Sequence, residues 1–147
     1  MYEVSIVGVD LAKQVFQIHG TTSDGRAVFR KKLSRPQFAK FMAALPPCIV
    51  AMEACGTAHY WGRELARLGH DIRLIPPVYV KPFVKRQKND AADAEAIAEA
   101  AQRPNMRTVA VKSSVQQAHS MLFRTRDLLV GQRTQLVNAL RGHLADA

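Results

Sequence analysis

The chain has 147 residues, 48% of them hydrophobic, which is enough to bury one full core and excludes a disordered chain. Its 21 Lys and Arg against 12 Asp and Glu give a formal charge of +9, which calls for a polyanionic partner, nucleic acid before anionic membrane. No apolar run approaches the roughly 20 residues that a bilayer span needs. The opening MYEVSIVGVD reads as strand, not as a signal peptide. Cys48 and Cys55 fit no zinc spacing; they read as small apolar packing groups, free thiols of a reducing cytoplasm.

In chain order, Val4, Ile6, Val7 and Val9 predict a buried strand ending at Asp10, and Val15, Phe16 and Ile18 a second strand closing at Gly20. Asp24-Gly25 predicts a hairpin turn, with a third strand over 26–32 whose outward positions include Arg30 and Lys32. Ser34 is placed to cap a helix over 35–45, with Phe38, Phe41, Met42 and Leu45 inward and Pro46-Pro47 as the stop. The apolar run 48–52 predicts a strand covered on both faces. Glu53 follows it, then a helix carrying Tyr60, Trp61, Leu65 and Leu68, capped by Gly69. Tyr60 and Trp61 could stack on bases, but their spacing to Leu65 favours core packing. Residues 71–75 predict a fifth strand. The order β-β-β-α-β-α-β-α describes a five-stranded mixed sheet with crossover helices, the ribonuclease H-like pattern.

Residues 78–89 read as an exposed basic connector bearing Lys81, Lys85, Arg86 and Lys88. An Ala-rich helix over 90–102 follows, stopped before Pro104. Residues 114–145 predict one long helix capped at Ser113-Ser114, with Val115, Leu122, Leu129 and Leu136 at seven-residue spacing. At 1.5 Å per residue this helix is about 45 Å long, so its apolar stripe calls for a partner and predicts a dimer or higher oligomer. The expected division is a catalytic domain over 1–103 and a linker plus long helix over 104–147. Lys85, Arg86, Lys88, Arg124, Arg126 and Arg133 are the candidate nucleic-acid contacts.

Four carboxylates carry the chemistry. Asp10 and Glu53 end two buried strands that a ribonuclease H-like sheet makes parallel neighbours, and Asp90 and Asp93, three residues apart, share a helix face. Clustered acids suit hard cations such as Mg²⁺ or Mn²⁺, and two ions about 4 Å apart can serve both oxygens of a phosphodiester displacement. The small Ala91, Ala92 and Ala94 let the helix backbone approach. Each acid also has a plainer reading: a turn former for Asp10, helix N-terminal acids for Asp90 and Asp93. Glu95 and Glu99 read as solvated positions. The five histidines, His19, His59, His70, His119 and His143, show no paired ligand spacing and read as surface residues.

The segments GVDLAKQVFQIHG, MEACGTAHYWGRELARLGHDIRLIPPVYVKPF and, most specifically, KNDAADAEAIAEAA resemble the N-terminal domain of DEDD-type transposases of the insertion-sequence 110 family. The resemblance implies a RuvC-like fold with Asp10, Glu53, Asp90 and Asp93 as the metal-binding tetrad, DNA as substrate, and a structured guide RNA as partner. It also implies a C-terminal domain with a serine nucleophile, which would lie beyond Ala147, so strand cleavage by these residues alone would be incomplete. Two other readings remain: a stand-alone Holliday-junction-type nuclease, and a non-catalytic nucleic-acid-binding or dimerisation module. Metal-dependent nicking of branched DNA separates the first from the transposase reading, and metal-independent binding favours the second. A sugar-kinase reading of GVDLAK fails for want of a second phosphate loop.

Overall fold

The computed structural model describes residues 3–85 and 89–147, and of Asp90 the backbone alone. Arg86 and Lys88 lie outside the described residues. The chain divides into two compact units, Met1–Val111 and Lys112–Ala147.

In the first unit, strands β1 (Ile6–Leu11), β2 (Val15–Thr21) and β3 (Ala27–Ser34) form an antiparallel meander. Gly25 turns the second hairpin at φ 86°, a backbone conformation that the missing Cβ makes accessible. Helix α1 (Arg35–Ala44) leads to β4 (Ile49–Glu53), and α2 (Ala58–Arg67) to β5 (Asp71–Ile75). The sheet order is β3-β2-β1-β4-β5, with β4 parallel to both β1 and β5. This is the five-stranded mixed sheet of the ribonuclease H-like fold, as the order of apolar runs predicts. The segment expected as an open connector instead holds a short helix α3 (Pro77–Val80) and a 3-10 turn, Lys81–Phe83. Buried Val80 anchors it. Helix α4 (Asp90–Ala101) follows, N-capped by the Asn89 side chain, which accepts from the Ala92 N–H at 2.8 Å. Residues 104–111 stay with this unit: the Val109 N–H donates to the Leu74 carbonyl at 2.7 Å, and Val111 packs against the core.

Alternation along the strands sorts side chains to two faces. Val7, Val9, Phe16, Ile18, Val50, Met52 and Leu74 meet α1 and α2 on one face. There Phe16, Phe38 and Trp61 pack edge-on at centroid distances of 5.0–5.3 Å. Each such buried side chain contributes roughly 1.5–3 kcal/mol. Ile6, Ala51 and Ile75 meet Val80 and the Ala-rich side of α4 on the other face. Gly8 lies between Ile6 and Asp10 on that second face. A Cβ at Gly8 would come within 2.3 Å of the Ala94 carbonyl oxygen and 2.7 Å of the Ala98 nitrogen, so the helix backbone rests directly on β1.

Three histidines expected at the surface are buried: His19, His59 and His70. His70 is held because its ring has two partners: Nδ1 accepts from the Cys48 N–H at 3.3 Å, and Nε2 reaches the Met42 carbonyl at 3.0 Å. The cysteines separate as well. Cys48 is half-buried as expected, but Cys55 is exposed, because it follows the end of β4.

The second unit is the helix α5 (Ser114–Ala145), with the predicted boundaries. Ser113 accepts from the Gln116 N–H at 3.1 Å, and the Gln116 side chain accepts from the Ser113 N–H at 2.9 Å. Val115, Leu122, Leu129 and Leu136 are exposed on it.

Candidate functional site

The parallel register Val9↔Met52 puts Asp10 and Glu53, one residue further along each strand, side by side at the same end of the sheet. Asp10 shares a face with Gly8 and Ile6, and Glu53 with Ala51, so both stand on the α4 side. The close seat of α4 on Gly8 brings Asp93, one residue before Ala94, to that end. Burial first, and the Asp93 charge second, hold the Glu53 carboxyl above its ordinary value. Glu53 and Asp93 line one cavity of about 280 Å³ together with Pro77, Val80, Lys81 and Val84. By sequence Lys81 is only one member of a basic connector; α3 and the 3-10 turn bring it to the acids. Nothing in the local sequence separates it from Lys85 or Lys88.

Of the four predicted acids, then, Glu53 and Asp93 are brought together, and Asp10 is brought beside Glu53 by register. The Asp90 side chain lies outside the described residues. Among the described residues, no three His, Cys, Asp or Glu side chains form a group that could hold an ion. The donors present are carboxylate oxygens on a water-accessible cavity, which is the chemistry Mg²⁺ or Mn²⁺ accepts.

Glu95, a solvated position by sequence, has a structural task. Its carboxylate accepts from Lys85 at 2.8 Å and from Arg30 of β3 at 3.2 Å, which holds its pKa below the ordinary range. Arg30 also donates to His19 Nδ1 at 3.3 Å, and burial keeps His19 below its usual pKa. Lys85, a predicted phosphate contact, is thus ion-paired to Glu95 while its side chain stays largely exposed. On α5, Arg124 and Arg133 are exposed, and Arg126 pairs with Asp127 at 3.4 Å.

A ribonuclease H-like domain with acids at the ends of neighbouring parallel strands, faced by a helix that carries another, defines the class of this unit. Residues 7–147 match a family described as Transposase, the DEDD type of IS110, and the chain belongs to that family. It is 57% identical over 143 residues to a "Probable family 20 transposase" of Pseudomonas aeruginosa, covering 97% of this chain and 42% of that protein. It is 46% identical to the "Transposase for insertion sequence element IS1328" of Yersinia enterocolitica, over 99% of this chain and 44% of the relative. A third relative, the "Transposase for insertion sequence element IS1111A" of Coxiella burnetii, is 44% identical over 99% of this chain and 40% of its own length. The chain spans about two-fifths of the length of these relatives. Among the described residues, no helix is long and apolar enough to cross a membrane.

Proposed function

We propose that this chain supplies the carboxylate half of the active site of an insertion-sequence transposase that cuts and exchanges DNA strands. The observation that carries the reading is the approach of Asp93 to Glu53 at the end of the parallel strands, in a chain of this family. Asp10, Glu53, Asp90 and Asp93 would hold Mg²⁺ or Mn²⁺. A bound ion would polarise phosphate oxygens and lower the pKa of a bound water. The residues prepare for it: Glu53 and Asp93 hold like charges close together, an arrangement a divalent ion relieves. Lys81, in the same cavity, offers a cation to a phosphate. In the complete protein, a structured RNA selects the target, and Lys85, Arg86, Lys88, Arg124, Arg126 and Arg133 contact nucleic-acid phosphates. The catalytic part runs over 1–103, with 104–111 as a linker packed back on that unit and the remainder of 104–147 as a pairing helix, in a cytoplasmic homodimer or higher oligomer. Calorimetric titration of the purified chain with Mn²⁺ tests the site. Binding is expected in the wild type and lost in Asp93→Asn and Asp10→Asn; unchanged binding in both variants overturns the reading.

A further inference from the structure

On the opposite face of the same sheet end lies a second groove, of about 510 Å³, lined by Arg35, Pro36, Tyr60 and Trp61. The pairings Leu11↔Phe16 and Val15↔Ser34 put the start of α1 at the sheet end where Asp10 and Glu53 stand. Helix α2 begins five residues after Glu53, at Ala58. The two adjacent aromatics of α2 have separate roles. Trp61 is 7% exposed and belongs to the core, whereas Tyr60 is 48% exposed, with its ring 5.4 Å from the indole at an angle of 79°. The Arg35 guanidinium lies over both Phe16 and Trp61 at 5.9 Å and makes no ion pair with the described residues.

We propose that this groove is a docking site for an unpaired nucleotide, with the base stacked on Tyr60 and the phosphate held by Arg35. An exposed aromatic face accepts any base, and a guanidinium held near the rings without an acidic partner keeps its N–H groups for an anion. The formal charge of +9 favours a nucleic-acid strand over a peptide as the occupant. The inference rests on the proposed engagement of nucleic acid, and is independent of the metal site. At this position the groove would hold a strand that has left its duplex close to the acids.

Trp61 is the single tryptophan, so its fluorescence reports on the groove directly. The whole chain is titrated in low salt with a short oligothymidylate, the matching oligouridylate and a duplex of equal length. The expected result is quenching by the single strands and single-strand affinity lowered roughly 5- to 150-fold in Tyr60→Ala, the range that base stacking supplies. Tyr60→Phe should keep that affinity, Arg35→Gln should lose it, and duplex affinity should stay within twofold in all three. The oligomer bound more tightly identifies the strand as DNA or RNA. Absent quenching, or Tyr60→Ala binding single strands like the wild type with an unchanged thermal midpoint, overturns the proposal. So does an equal loss on duplex, which would show that the groove does not select an unpaired base. Failure to bind any of the three nucleic acids would instead overturn the proposed function as well.

Discussion

Asp93 stands close enough to Glu53 for its charge to add to burial in raising the Glu53 pKa, although the two acids are 40 positions apart in sequence and sit on different elements. Two like charges held together in a fold are a standing cost to stability, accepted where function requires them.

The sign of that cost can be measured. A carboxyl whose folded pKa is raised favours folding most when protonated, so its contribution is complete below the ordinary value of 4.5 and is lost as pH rises through the folded value. In EDTA at pH 7, Glu53→Gln should therefore melt slightly above the wild type. The gap should close as pH falls below 4.5. A variant that melts lower at pH 7 would show that the Glu53 carboxylate is stabilised by its surroundings.

The seat of α4 on β1 predicts a much larger effect from a much smaller change. At Gly8 an added Cβ would meet backbone atoms of Ala94 and Ala98, which have no rotamer by which to retreat. Gly8→Ala should cost about 2–3 kcal/mol, read from the urea midpoint, because overpacking a tight contact forces the backbone apart. It should also weaken Mn²⁺ binding at temperatures where the fold survives, because Asp93 moves with the helix. A loss under 0.5 kcal/mol, a threshold on the order of a neutral surface substitution, would mean that α4 yields easily.

On α5, the exposed Val115, Leu122, Leu129 and Leu136 predict pairing. Burial of each on association gains roughly 1.5–3 kcal/mol before association entropy. Light scattering of the wild type at micromolar concentration should give at least a dimer, and Leu129→Asp a monomer of unchanged helicity. A wild type that remains monomeric at high concentration would exclude self-pairing through this stripe.

The features legible in the sequence are those with a local cause. The bounds of α5 follow from a cap, a heptad spacing and an uninterrupted run, and the five strands from short β-branched segments between turn formers. The pairing of Asp10 with Glu53 follows from topology once the strand order is known. The features hidden from sequence depend on tertiary neighbours. Glu95 looks like any helix-surface acid until β3 brings Arg30 beside it and the turn after α3 brings Lys85. His70 is a surface residue by type, and buried because Cys48 and Met42 offer both ring nitrogens a partner. The short α3 begins at the second proline of a pair, which by sequence marks a break in β5 without setting the path of the chain beyond it.

The inner side of α4 is built almost wholly of alanine: Ala94, Ala96, Ala98, Ala100 and Ala101 are buried, with Ile97 the one large side chain among them. Alanine carries no functional group, yet at these buried positions an added methyl overpacks the contact between helix and sheet. A saturation-mutagenesis map of this unit scored for metal binding would therefore carry a second band of intolerance beside the acids, at positions with no functional group at all. Reading that band as further ligands would be an error; it traces the depth to which the helix must sink before its acid arrives.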